Sequence, residues 1–224
     1  MLVRFTPVFG ACVALAVITP ATLADGIELS GDVSVVSEYR FRGLSLSDKD
    51  PALQGSINAS MGNFSVGAWG SSVANSVVGA DAEIDIVAGY GFELSETLSF
   101  SVGGTAYLYA GGGDLDYGEL NAVFTYAVDT FDVSLGLAYV PSQANSGNRD
   151  NTYIFSSVNY PVSEKLGAFA SLAYEDGAFG DGKWDWSLGA SYDLGFGSVR
   201  LSYVDTNKGG IGAAGVVGGI SVAF

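Results

Sequence analysis

A chain of 224 residues with 9 basic against 24 acidic residues, a net charge of −15 and a single cysteine excludes a nucleic-acid surface, a disulfide scaffold and a thiolate metal centre. Hydrophobic residues make up 48% of it, yet no run approaches the roughly 18 apolar residues that a membrane helix needs. With 32 Gly and only 5 Pro the chain reads as strands and turns, and apolar residues dispersed at alternate positions suit a transmembrane β-barrel, whose strands face lipid and lumen by turns.

Met1 to Ala24 reads as a secretory signal peptide, with Arg4 near the start, an apolar stretch from Val8 to Ile18, and Thr22-Leu23-Ala24 before Asp25. Cys12 lies inside it. Phe9-Gly10-Ala11-Cys12 faintly resembles a lipoprotein box, but the apolar stretch continues past it. Cleavage would leave residues 25–224 as one barrel domain; loss of Arg4 takes the 9 basic residues to 8 against 24 acidic, a net charge of −16.

From there period-2 alternation recurs along the chain. On the first predicted strand Leu29, Gly31, Val33, Val35, Tyr39 and Phe41 share one face, and Ser30, Asp32, Ser34, Glu38 and Arg40 the other. On the second, Leu53, Gly55, Ile57, Ala59 and Met61 alternate with Gln54, Ser56, Asn58 and Ser60. Gly62-Asn63 then makes a two-residue hairpin turn, since both residues tolerate positive φ. The third strand runs from Phe64 to about Ser71. The fourth, Glu83 to Phe92, sets Ile84, Ile86, Ala88 and Tyr90 against Asp85 and Val87. Leu98, Phe100, Val102, Gly104, Ala106 and Leu108 mark the fifth, and Leu120, Ala122, Phe124 and Tyr126 the sixth. The seventh carries Phe131, Val133, Leu135, Leu137 and Tyr139, the eighth Ile154, Ser156, Val158 and Tyr160. Leu166, Ala168, Ala170, Leu172 and Tyr174 form the ninth; Trp184, Trp186, Leu188, Ala190 and Tyr192 the tenth. Val199, Leu201 and Tyr203 make the eleventh, and Val216, Gly218, Ile220, Val222 and Phe224 the twelfth.

Twelve is an even number, as bacterial single-chain barrels require, and the joints alternate as such barrels demand. Short ones fall at Gly62-Asn63, Glu93 to Thr97, Val128 to Thr130, Pro161 to Glu164 and Leu194 to Gly197. Long ones fall at Gly43 to Pro51, Ser72 to Ala82, Ala110 to Asp116, Pro141 to Asn151, Glu175 to Lys183 and Asp205 to Gly215. This puts both termini in the periplasm of a Gram-negative cell. Tyr39, Phe41, Phe92, Tyr126, Phe131, Tyr139, Tyr160, Tyr174, Trp184 and Tyr192 sit near predicted strand ends, where interfacial girdles belong. The fold expected is therefore all-β, a transmembrane antiparallel up-and-down barrel of about twelve strands; a soluble sandwich is the alternative.

Two motifs dissolve on inspection. Gly210-Ile211-Gly212-Ala213-Ala214-Gly215 matches G-x-G-x-x-G, but too little chain follows it for the helix and second strand of a dinucleotide site. Gly111-Gly112-Gly113-Asp114-Leu115-Asp116 hints at a calcium turn but stands alone. Asp48 with Asp50, Asp114 with Asp116, and Glu175, Asp176 and Asp181 read as solvated loop charge with at most weak divalent-cation binding.

The chain has no histidine, so the histidine-dependent mechanisms of outer-membrane phospholipases, deacylases and omptin-type proteases cannot run on it. Asp85 and Glu119 facing each other across the lumen would be the one carboxylate pair for glycoside chemistry. No enzyme activity, cofactor or resident metal is expected. Parity places Asp32, Glu38, Arg40, Arg42, Gln54, Asn58, Asp85, Glu119, Asn121, Asp132, Asp185 and Arg200 on the lumen face, six acids to three bases. Of these Glu38, Arg40, Arg42, Gln54, Asp85, Glu119, Asp132, Asp185 and Arg200 are the candidate pore-lining residues. An aqueous path so lined favours cations and neutral solutes. Alternatively, Arg40, Arg42 and their acidic neighbours form a network that plugs a narrow barrel.

Ser37-Glu38-Tyr39-Arg40-Phe41-Arg42-Gly43-Leu44-Ser45, followed by Pro51-Ala52-Leu53-Gln54-Gly55, resembles the opening of the TorF family of porin-like proteins. Val66-Gly67-Ala68-Trp69, Ala82-Glu83-Ile84-Asp85 and Tyr117-Gly118-Glu119-Leu120 resemble later segments of that family. The resemblance implies an outer-membrane barrel with a pore function and brings no catalytic residues. The ending at Phe224, with Ile220 and Val222 on its face, looks like the signal by which barrel precursors are recognised for assembly. Expected partners are outer-membrane lipid and lipopolysaccharide, that assembly machinery and small solutes, with no nucleic acid. The competing reading is a closed structural or adhesive surface barrel without transport.

Overall fold

The computed structural model describes residues 26–224 and the short pair Ala21–Thr22, which runs antiparallel beside Glu28 and Leu29. The expected signal-peptide boundary after Ala24 lies outside the described residues. Twelve long strands follow: β1 (Ile27–Val36), β2 (Ala52–Met61), β3 (Phe64–Ser72), β4 (Ala82–Glu93), β5 (Leu98–Ala110), β6 (Tyr117–Val128), β7 (Phe131–Val140), β8 (Asn151–Pro161), β9 (Leu166–Gly177), β10 (Lys183–Asp193), β11 (Gly197–Thr206) and β12 (Gly215–Ala223). Each pairs antiparallel with its sequence neighbours, and β12 returns to pair with β1, so the sheet closes. Closure leaves no spanning strand with a free edge of backbone N–H and C=O groups, the condition for crossing lipid with strands.

Alternation sets the two faces. On β7 Leu135, Leu137 and Tyr139 are exposed on the outside while Ser134, Ala138 and Val140 are buried inside. Leu188, midway along β10, is 64% exposed on the same outer face. Aromatic rings gather in two bands. At the short-turn end Tyr90, Phe92, Phe100 and Phe124 form a run across β4, β5 and β6, with successive ring centroids 4.4 to 5.9 Å apart. At the long-loop end Tyr174 and Trp184 meet at 5.1 Å.

The turns are built from the residues that tolerate them. Gly62 takes φ +58°, whereas its turn partner Asn63 keeps negative φ and uses its side chain instead, Nδ2 donating to the Gly91 carbonyl at 2.9 Å. Asp129 supplies the positive φ of the β6–β7 turn. The seam between β12 and β1 is the shortest ladder of the ring, confined to Asp32–Val36 against Gly219–Ala223. Phe224 extends it: its N–H donates to the Gly31 carbonyl and its carbonyl accepts from the Gly31 N–H, both at 2.9 Å. Gly31 is required there, since a Cβ would stand 2.6 Å from the Ser56 carbonyl oxygen and 2.7 Å from the Phe224 ring.

One expectation fails at the start of the chain. Alternation carried the first strand to Phe41 and put Tyr39 and Phe41 in a lipid girdle, but β1 ends at Val36 and Tyr39 is 2% exposed, inside the barrel. The pattern misleads because the segment after β1 is itself extended. Arg40–Phe41 pair with Leu44–Ser45 in a small hairpin that turns inward instead of continuing along the wall. The first long joint is thus residues 37–51, not 43–51.

Candidate functional site: the lumen and its inward hairpin

The hairpin docks on two sides. On its apolar side Tyr39 and Leu46 pack with Val36, Ala52, Trp69 and Val73, and the Tyr39 and Trp69 ring centroids are 5.3 Å apart. Backbone and hydroxyl bonds fix its shape: the Tyr39 N–H donates to Ser47 Oγ (2.9 Å), and the Leu46 N–H to the Tyr39 carbonyl (2.9 Å). Arg40 pairs with Glu38 (Nε to Oε1, 2.8 Å) and donates through Nη1 to the carbonyls of Gly43 (2.9 Å) and Ala213 (2.8 Å). That ties the hairpin to the loop before β12. The tip needs left-handed backbone at Arg42 (φ +49°) and Gly43 (φ +81°). A Cβ on Gly43 would sit 2.4 Å from Thr206 Cγ2 and 2.8 Å from Asp185 Cβ, so the tip lies directly on the β10–β11 wall.

Arg42 is the centre of the charged side. It pairs with Glu119 Oε2 of β6 at 2.6 Å and Glu175 Oε1 of β9 at 3.0 Å. Its guanidinium stands 4.3 Å from the centroid of the Tyr153 ring and 4.8 Å from that of Phe41. Lys183 of β10, 1% exposed, pairs with Glu175 Oε2 (2.8 Å) and Asp185 Oδ2 (3.5 Å) and donates to the Arg42 carbonyl (2.5 Å). Remaining lone pairs are met by Tyr107 Oη on Glu119 (3.1 Å), Asn151 Nδ2 on Glu175 (2.9 Å) and Tyr153 Oη on Asp185 (3.0 Å). The residues of this cluster are buried charges that are mutually paired and hydrogen-bonded, the condition under which buried ions persist.

Toward the short-turn end the inner face changes character. Hydroxyls pair across strands, Thr125 with Ser134 (3.0 Å), Ser171 with Ser187 (2.7 Å) and Ser198 with Ser221 (3.0 Å), and Ser56 donates to Asp32. Phe155 lies over Gly136, where a Cβ would come within 2.1 Å of its ring, so the ring rests flat against the wall. Arg200 sets its guanidinium 3.6 Å from the centroid of the Phe169 ring.

The predicted residues divide accordingly. Arg42, Glu119 and Asp185 meet in one cluster; Glu38 and Arg40 pair with each other beside Gly215; Gln54 Nε2 bonds Ser71 Oγ at 3.3 Å. Arg200 is on the hydroxyl-lined half, and Asp132 is exposed beside a short turn. Asp85 and Glu119 do not face each other across the lumen. They share one wall, on β4 and β6, with Thr105 and Tyr107 of β5 between them. Glu175 is no surface-loop acid either; it is 2% exposed on β9, and Lys183 begins β10. Both were missed by ending their strands at the aromatic pair Tyr174 and Trp184. Continuing the inward parity of Ser171 and Ala173, and of Ser187 and Asp185, reaches them. Glu83, also missed, is 0% exposed on the face it shares with Asp85. The two glycine-rich motifs are loops: Gly210–Gly212 is a single 3₁₀ turn leading into β12, and among the described residues no group of three metal-binding side chains forms.

A closed twelve-strand barrel with an apolar exterior, a polar interior and a loop folded into it defines an outer-membrane, porin-like fold. The structure of the KdgM porin superposes with a TM-score of 0.64 at 10% identity, over 87% of this chain and 98% of that one. The same porin in complex with disordered oligogalacturonate gives 0.62 at 10% identity over the same shares, and the NanC porin 0.59 at 9% over 87% and 98%. No curated protein sequence matches. The family itself is set by sequence: residues 20–216 match the family described as "Bacterial protein of unknown function (Gcw_chp)", and the chain belongs to it.

Proposed function

We propose that this protein is a porin-like passive channel of the Gram-negative outer membrane that passes small solutes and favours cations and neutral molecules. The observation that carries the reading is the division between an apolar outer face and an inner face of hydroxyls, amides and carboxylates along the height of the barrel, the arrangement of water-filled barrels. The long loops then face the exterior, and both chain termini lie on the periplasmic side with the short turns. Lipid and lipopolysaccharide surround the outer face, and assembly machinery reads the strand ending in Phe224. The TorF-like opening motif supports the same reading, since its residues build the inward hairpin. Permeation is limited where that hairpin narrows the lumen, at Arg42, Glu119, Glu175, Lys183 and Asp185. Oligogalacturonate, the acidic sugar held by the KdgM porin, is not carried over, because buried acids outnumber buried bases in this interior.

One observation favours a second reading. The hairpin leaves β1, crosses the lumen and is tied by ion pairs to β6 and β9 and through Lys183 to β10, so the barrel would stay shut and act through its surface loops. Recording of purified protein in planar bilayers separates the two. Stable current with cation preference supports the channel, and silence supports the closed barrel.

A further inference from the structure

The charges of the interior do not balance. The buried carboxylates are Glu38, Glu83, Asp85, Glu119, Glu175 and Asp185; the buried cations are Arg40, Arg42 and Lys183. Arg40 is engaged by Glu38, Arg42 by Glu119 and Glu175, and Lys183 by Glu175 and Asp185. Among the described residues no ion pair reaches Glu83 or Asp85.

These two stand two residues apart on the inner face of β4. Glu83 is flanked across the sheet by Ser71 and Tyr109, and Asp85 by Trp69 and Tyr107. Tyr109 Oη donates to Glu83 Oε1 at 3.4 Å, and Tyr39 of the hairpin brings a second phenol to Glu83. Glu83 Oε2 and Asp85 Oδ1 are nonetheless fully enclosed and have no hydrogen-bond partner. Glu83 is 0% and Asp85 8% exposed. Two neighbouring buried carboxylates without a cation are each desolvated and repel one another, an arrangement that persists only if a bound cation or a proton neutralises the pair.

We propose that Glu83 and Asp85 hold a divalent cation of the calcium class, with the Tyr39 and Tyr109 hydroxyls completing an all-oxygen surround. Two carboxylates match a charge of two, and oxygen donors without nitrogen or sulfur select a hard ion over zinc or copper. The cation would join the β4 wall to Tyr39, fastening the hairpin on the side opposite its ion pairs. This goes beyond the channel reading and does not depend on it.

The test uses the full barrel refolded in detergent and stripped with chelator. Terbium, a luminescent stand-in for calcium sensitised by the adjacent tyrosines, should saturate at one site per chain and be displaced by Ca²⁺. Glu83→Gln and Asp85→Asn should each weaken binding at least about tenfold, as affinity follows ligand charge count. The loop variant Asp114→Asn/Asp116→Asn should bind like the parent. Ca²⁺ should also raise the thermal midpoint of the parent and leave that of Glu83→Gln/Asp85→Asn unmoved. If the double variant does not fold, Glu83→Asp, which keeps the charge but shortens the reach, replaces it and should still weaken the site. Three results overturn the proposal: no saturable site in the parent, undiminished binding in the variants, or a parent indifferent to Ca²⁺ while the neutral double variant is more stable in chelator. The last would mean that the pair holds a proton. Bilayer current is not read, so the channel proposal stands or falls separately.

Discussion

Replacing Arg42 by Met keeps most of the side chain's volume and removes its charge from the centre of the lumen. Two ion pairs are lost, at 2.6 Å to Glu119 and 3.0 Å to Glu175. With charge centres about 4 Å apart and an effective dielectric of about 20, each is worth about 4 kcal/mol before desolvation. Desolvation offsets several kcal/mol per ion, so the gross figure is not the net effect. Glu175 retains Lys183 at 2.8 Å and Asn151 at 2.9 Å, whereas Glu119 is left with the Tyr107 hydroxyl at 3.1 Å. The damage therefore concentrates on one buried, uncompensated carboxylate, a loss of about 3–5 kcal/mol. Arg42→Met/Glu119→Gln removes the orphaned charge and should recover most of it, giving a coupling of about 2–3 kcal/mol in the double-mutant cycle. Because the sheet's ladders do not involve Arg42, the loss falls on docking of the hairpin. Urea unfolding in lipid vesicles should show the lower stability, and bilayer recordings a larger single-channel conductance. A single variant with parental midpoint and conductance, or a double variant weaker than Arg42→Met, would refute the reasoning.

Gly43→Ala should undock the tip in the same direction, because φ +81° disfavours a Cβ by about 1–2 kcal/mol and the new methyl would collide with Thr206 and Asp185; noisier, larger currents would show it. Gly31→Val should impair closure of the seam, since its side chain meets the Ser56 carbonyl and the Phe224 ring, and the fraction of compact, heat-modifiable barrel after refolding should fall. Deleting Phe224 removes both bonds to Gly31 and should lower that fraction too; unchanged refolding would argue against a seam fixed there. Leu188→Arg, at mid-height on the outer face, should cost about 2–4 kcal/mol in a bilayer. A negligible cost would mean that this face does not meet lipid.

The closed barrel was legible from the chain because a half-buried strand must repeat every two residues, and twelve such segments separated by alternating short and long joints admit few other arrangements. Val33 and Val35, Leu135 and Leu137, and Leu188 and Ala190 declare the outer face by themselves. The same rule identified Glu119, Asp185 and Gln54 as inward residues. It failed where an extended segment leaves the wall: Tyr39 and Phe41 keep the period of β1 while lying inside, since periodicity reports a local conformation and not which sheet it joins. It was also stopped too early at Glu175 and Lys183, charged residues beside a loop that look solvated until the opposite wall and Arg42 are in place. Which acid meets which base depends on strands far apart in sequence being curved into contact, as when a loop from β1 brings Arg42 to β6 and β9. The sequence by itself determined the strands, their faces and the closed ring, because these follow from local alternation. Only the tertiary structure decided that the first loop turns inward and that Glu83 and Asp85 are left without a counter-charge, because pairing inside a lumen is a property of the closed ring and of no single strand.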